Sequence, residues 1–131
     1  MKASDIEWKN PPPHVPGEPE HLNCFTQVLT AHAEVLGKTP EEAKALGTHF
    51  GGGMRYGGAC GPTVAALLLL GALYGDAPEE QDRGKAFLTE FCDRFGGLTC
   101  AELQDPERAR CDAAIRWTRE YIAARRSELG R

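Results

Sequence analysis

The 131-residue chain contains no C-x-x-C pair, no excess of basic charge and no apolar run approaching twenty residues. Each absence removes a class of function. Without a knuckle, its cysteines form neither a zinc ribbon nor a ferredoxin-type cluster run. Fifteen Lys and Arg against nineteen Asp and Glu leave a net charge of −4, so nothing draws the chain to nucleic acid or anionic lipid. The longest apolar stretch, Val64 to Tyr74 broken only by Gly71, is too short for the ~20 residues of a membrane span and reads as a buried helix. The segment Met1 to Trp8 lacks the apolar region of a secretory leader, so a cytoplasmic location is expected. Gly-Lys-Ser/Thr, G-x-S-x-G, H-E-x-x-H and C-x-x-C-H are all missing too. P-loop, nucleophile-elbow, zincin and covalent-haem chemistry therefore have no sequence support.

Strand-type alternation is absent as well, while helical spacing recurs from residue 20 onward. Leu22, Phe25, Val28, Leu29, His32, Val35 and Leu36 predict a first helix stopped by Gly37. Thr39-Pro40-Glu41-Glu42 is a capping box with proline at the first helical position, and it opens a second helix toward Phe50. Pro62 opens a third through Leu73, with Gly75 as its cap. Pro78 opens a fourth, whose stripe is Phe87, Leu88, Phe91, Cys92 and Phe95. Thr99-Cys100-Ala101-Glu102 caps a short helix, and Asp105-Pro106 caps a last one carrying Cys111, Ile115, Thr118 and Ile122. The expected fold is all-α, a compact bundle of five or six helices over residues 20–131. Residues 1–19 hold five of the nine prolines and should form an extended arm. Ile6 and Trp8 could dock that arm on its own subunit or on a neighbour, which leaves a homodimer open. Glu79, Glu80, Glu102, Glu107 and Arg125-Arg126 read as solvated helix faces.

Two features stand out against this frame. The segment Gly51 to Gly61 has six glycines in eleven residues, costly in a helix at about 1 kcal/mol each relative to alanine. Phe50, Met54 and Tyr56 make it a packed loop rather than a linker. The second feature is five cysteines, too few for a disulfide scaffold and an odd number. Cys24, Cys60, Cys100 and Cys111 all fall at the N-terminal end of a predicted helix. Unpaired N–H groups and the helix dipole favour a thiolate there, and the thiolate is both nucleophile and metal ligand. Cys92 lies on an apolar stripe and reads as a small buried hydrophobe. His21, one turn before Cys24, is either a co-ligand or a surface residue. His32 reads as a core histidine, His49 borders the glycine loop and His14 belongs to the arm.

Asn23-Cys24, Phe50-Gly51-Gly52-Gly53-Met54, Gly58-Ala59-Cys60-Gly61, Leu70-Gly71, Cys100 and Cys111, in that order, resemble the redox-active family called C_GCAxxG_C_C. The resemblance runs from about His21 into the last helix and assigns Cys24, Cys60, Cys100 and Cys111 as the family cysteines. Two positions depart from the pattern: Pro62 stands where alanine is usual and Ala65 where the second glycine is usual. A second likeness is to the cysteine-bearing, cluster-associated part of split-Soret cytochromes. These resemblances imply redox or metal chemistry. Four thiolates match the ligand count of an iron–sulfur cluster serving electron transfer. The same residues also suit a metal-free thiol–disulfide protein acting with a redox partner protein, or a structural zinc site made of four cysteines. The four sulfurs are expected at one end of the bundle, against the alternative of scattered core thiols. The glycine loop should cross that end, Gly52, Gly53 and Gly58 bringing backbone close, Met54 and Tyr56 shielding it and Arg55 supplying charge.

Overall fold

Proline supplies no N–H, and the proline-rich N-terminal segment accordingly builds little regular structure. In the computed structural model its only helical element among the described residues is a 3-10 turn over Ala3–Asp5. The structure describes every residue except Pro12 and His14, so the extended course expected of the arm at those positions lies outside the described residues. The arm is tied down at Lys9, whose N–H donates to the Arg55 carbonyl at 2.6 Å. Six α-helices follow: α1 (Cys24–Ala31), α2 (Pro40–Leu46), α3 (Gly61–Tyr74), α4 (Arg83–Phe95), α5 (Cys100–Leu103) and α6 (Ala109–Leu129). The only extended pairing among the described residues is an isolated antiparallel bridge between Ala59 and Thr99. The chain is all-α, and none of its helices is long and apolar enough to cross a membrane, among the described residues.

Helix α3 is the hub, packing against α1, α4 and α6. Its Ala65, Ala66 and Leu69 are fully buried, and small residues there let neighbouring helices approach closely. Alanine at position 65 thus sits within the packed interior. Phe25, Val28 and Leu29 of α1, Phe87, Phe91 and Phe95 of α4, and Ala114, Ile115 and Ile122 of α6 complete the core. The α4 stripe meets Trp117 and Tyr121 of α6, with Phe87 edge-on to Tyr121 at 5.0 Å between ring centroids. Cys92 is half-buried on α4, on the shoulder of this stripe.

Several boundaries differ from the sequence expectation, each for a tertiary reason. The first helix ends at Ala31 instead of running to Leu36, because His32 leaves the helical region (φ −129°, ψ 27°). Its buried ring is held at both nitrogens. Nε2 lies 3.0 Å from the Arg119 carbonyl, and Arg126 Nη1 lies 3.0 Å from Nδ1. An arginine can only donate, so Nδ1 accepts and Nε2–H donates to the carbonyl: a neutral imidazole. Burial holds its pKa below the ordinary value. Arg126, expected on a solvated face, is instead turned inward to His32 and Glu34. A 3-10 turn over Ala33–Leu36 then ends at Gly37 in the left-handed region.

Helix α2 has the expected Thr39–Glu42 capping box but stops at Leu46 rather than near Phe50. There the Gly47 carbonyl is captured by Asn23 Nδ2 at 2.8 Å. Pro78 starts only a 3-10 turn (Pro78–Glu80); α4 begins at Arg83, whose side chain pairs with Glu80. Asp105 is not the N-cap of α6. Arg108 occupies that position in the left-handed region, while Asp105 Oδ2 accepts from the Arg110 N–H at 3.2 Å.

Asn23 does two jobs, since its Oδ1 also accepts from the Thr26 N–H at 2.8 Å and caps α1. Asn23→Ala should therefore cost about 2 kcal/mol in urea unfolding, roughly half from the cap and half from the part-buried bond to Gly47. Asn23→Ser keeps the cap without the reach to Gly47 and should cost about half as much.

Candidate functional site

Four chain segments deliver cysteines to one end of the bundle. Cys24 is the first residue of α1, Cys60 the N-cap of α3, Cys100 the first residue of α5, and Cys111 the third residue of α6. Backbone contacts set their spacing. Gly61 faces the first turn of α1 so closely that a β-carbon there would stand 2.7 Å from the Phe25 nitrogen. Only glycine admits that approach, and it brings Cys60 beside Cys24. The Cys60 N–H donates to the Leu98 carbonyl at 2.9 Å, and the Cys100 N–H donates to the Gly58 carbonyl at 2.7 Å. These bonds flank the Ala59–Thr99 bridge, setting Cys60 opposite Leu98 and Cys100 opposite Gly58, so the two cysteines lie diagonally across it. Thr63 Oγ1 adds a bond to the Cys60 carbonyl at 2.6 Å.

The glycine loop closes the arrangement from the other side as a π-helical turn over Gly53–Gly57. A β-carbon on Gly53 would stand 2.6 Å from the Gly58 carbonyl oxygen and 2.7 Å from Cys100 Cβ, and its φ is +63°. Gly53 is thus the point where the loop backbone lies on the site. Met54 and Arg55 also have positive φ, 59° and 73°, and are held there without the help of a missing side chain. Contrary to expectation, Met54 and Tyr56 do not line the cavity: they are 44% and 48% exposed, and the Tyr56 ring folds back over Gly58.

The four thiols surround a small, largely enclosed cavity of about 30 Å³, with Phe50, Gly52, Gly53, Gly61, Pro62 and Leu103 completing its wall. Among the described residues, no side chain bearing nitrogen or oxygen lines it. Of the loop residues expected at the site, Gly52 and Gly53 line the cavity, whereas Met54, Arg55 and Gly58 do not. Pro62 fits its place: a proline in the first helical turn gives up an N–H that would have no partner there, and its ring is buried in the wall. Cys92 is not among the lining residues. His21 faces a separate open cleft with Leu22, Gln27 and Arg119. His49 is exposed beside the loop.

The electrostatics run against the expectation from helix position. Burial pushes the thiol pKa values of Cys24, Cys60 and Cys111 up, Cys60 to about 12. Mutual repulsion among the clustered sulfurs adds to the rise. At neutral pH these three groups are protonated thiols. Arg108 opposes the trend at Cys24 and Cys111. Its Nη2 stands 3.8 Å from Cys24 Sγ. Sequence reasoning missed this residue, although it lies one helical turn before Cys111, the spacing that places two side chains on one helix face.

All five cysteines are free thiols. Among the described residues no group of three or more His, Cys, Asp or Glu side chains stands in a metal-holding arrangement. The sulfurs share a cavity without forming a closed ligand shell. Comparison with known proteins places the chain in context. Residues 22–124 match the family described as "Putative redox-active protein (C_GCAxxG_C_C)". No curated protein and no solved structure shows significant similarity to the chain.

Because a buried thiol holds its proton more tightly than an unfolded one, the site makes stability pH-dependent. With the Cys60 pKa raised from 9.0 to about 12, stability is intact below pH 9 and falls as pH climbs from 9 toward 12. Urea unfolding of the chelator-treated chain at pH 7, 9 and 10.5 should show this loss, and Cys60→Ala should flatten it.

Proposed function

Given that the chain belongs to the C_GCAxxG_C_C redox-active family, we propose that Cys24, Cys60, Cys100 and Cys111 form an electron-transfer site that holds iron through four thiolates, as an iron–sulfur cluster. The observation that carries this reading is the shared cavity: four sulfurs border it and no nitrogen or oxygen side chain does. Such a donor set suits a soft, thiophilic metal, and four thiolates are the usual complement of a [2Fe–2S] or [4Fe–4S] cluster. The raised thiol pKa values point the same way. A thiol near pKa 12 is a poor free nucleophile, whereas a coordinating metal deprotonates a thiol outright.

In this reading the cluster supplies one-electron chemistry and the chain supplies its surroundings. Phe50, Pro62 and Leu103 exclude water from the sulfurs. The Gly52–Gly53 backbone lies on the cavity, where its amides can tune the potential. Because the shell is open among the described residues, loading on this reading is coupled to a local closure of the site. The exposed Met54–Tyr56 turn beside the site offers a surface to a redox partner protein.

A metal-free reading has its own support in that open shell and in the free thiols that share the cavity. There, two thiols would join as a disulfide, releasing two protons and passing two electrons to an oxidised dithiol partner protein. Zinc would accept the same four thiolates in a purely structural role.

Anaerobic purification followed by iron, acid-labile sulfide and zinc analysis separates the three. The proposal expects a coloured protein with about two or four iron atoms per chain and matching sulfide. A colourless protein that takes up no iron on anaerobic reconstitution overturns it. Specific disulfides found by mass spectrometry after mild oxidation would then support the metal-free reading, and stoichiometric zinc the structural one. Cys60→Ser should abolish loading, whereas Cys92→Ser should leave the iron content unchanged and cost only stability, about 1 kcal/mol. Loading should also strengthen with pH. Each ligand thiol must give up a proton, so apparent metal affinity rises by up to tenfold per pH unit for each proton released. Titrating metal at pH 6.5, 7.5 and 8.5 measures that slope.

A further inference from the structure

We propose that Arg108 is a positioning residue of the four-cysteine site: its guanidinium, held at the Cys24 sulfur, offsets the negative charge that the thiolates bring when a metal is loaded. The inference rests on the metal-thiolate reading above and assigns a role to a residue outside the cysteine pattern.

The contact is built rather than incidental. Arg108 reaches a sulfur 84 residues away in sequence, with Nη2 3.8 Å from Cys24 Sγ. Its backbone takes φ 58° and ψ 18°, a left-handed conformation unfavourable for a residue with a side chain, at the N-cap of α6. That conformation is fixed from both directions. The Arg108 N–H donates to the Asp105 carbonyl at 3.2 Å, and the Arg108 carbonyl accepts from the Asp112 N–H at 2.9 Å. A tight turn before α6 thus aims the side chain across the site at the start of α1. Arg110, two residues further, is used differently: its side chain pairs with Asp105 at 3.9 Å and donates to the Phe95 carbonyl at 3.3 Å. Strain kept at one residue, with its charge placed at the edge of a sulfur cluster, is the pattern of a functional constraint.

The charge arithmetic says what that constraint does. Thiols enter as neutral groups and end as thiolates, so four of them around a divalent cation carry a net charge of about −2. The wall holds no polar side chain to solvate it. A guanidinium at one sulfur favours the loaded state over the thiol state, and its planar fork keeps it in place.

The test uses the full metal-free chain and Co²⁺ as the probe, read anaerobically through its sulfur-to-cobalt absorption band in competition with a chelator. Arg108→Gln should weaken Co²⁺ binding about tenfold at low salt, and Arg108→Lys should recover most of the loss. Because Arg108 is exposed, the gap should narrow at high salt. Arg110→Gln, which touches no sulfur, should bind as the unaltered chain does. Wild-type affinity in Arg108→Gln overturns the proposal, and so does an equal loss in the Gln and Lys variants, which would mark a packing role. If the unaltered chain shows no cobalt–thiolate band, the metal reading itself fails. Arg108 is then judged by iodoacetamide labelling of Cys24, followed by mass spectrometry. A several-fold slowing in Arg108→Gln that Lys reverses supports the charge role, and an unchanged rate overturns it.

Discussion

Where α3 begins, residue 61 faces the first turn of α1 so closely that a β-carbon would stand 2.7 Å from the Phe25 nitrogen. This backbone-to-backbone approach places Cys60, the N-cap of one helix, beside Cys24, the first residue of another. Further contacts build on it. The Cys60 and Cys100 amides bond to carbonyls on either side of the Ala59–Thr99 bridge, which brings the start of α5 to the same spot. The long α6 packs against both α1 and α3 and carries Cys111 to the remaining side. Packing of a core and assembly of a site are one event here, because every cysteine involved opens the helix that its neighbours pack.

That arrangement carries an electrostatic tension. Helix N-termini favour anions, yet gathering four of them against Phe50, Pro62 and Leu103 removes the water a thiolate would need. Desolvation prevails, and the thiols of Cys24, Cys60 and Cys111 hold their protons more tightly than in water. A cluster of protonated thiols suits a species that exchanges protons for a soft cation. Arg108 at the rim works in the same direction as the helix ends.

The glycine loop shows how one backbone can serve two surfaces. Gly53 must lie flat on Cys100 and on Gly58, and its positive φ starts a left-handed turn. The turn carries Met54 and Arg55 through the same region of conformational space, leaving Met54 exposed and Arg55 half-buried. Lys9 of the arm bonds to the Arg55 carbonyl, so the arm braces the outer side of the turn. The inner face is sulfur and glycine, and the outer face is apolar and cationic.

Much of this was legible from local chemistry. Helix starts are written in short range, by Thr39 with Glu42, Thr99 with Glu102, and Pro62 in the first turn of α3. The common placement of four cysteines could therefore be read from spacing alone, as could the separation of Cys92 on its apolar stripe. Helix ends were less legible, because distant partners decide them. His32 breaks α1 for the sake of Arg119 and Arg126, and Gly47 ends α2 where Asn23 captures its carbonyl. The sequence by itself determined an all-α chain with thiols at helix N-termini. Tertiary structure alone decided that those thiols share one cavity, that burial raises the pKa values of three of them, that Met54 and Tyr56 stay exposed, and that Arg108 reaches Cys24. The reason is one of range: a cap or an apolar stripe acts within a few residues, whereas desolvation and the reach of a guanidinium depend on groups that only the folded chain brings together.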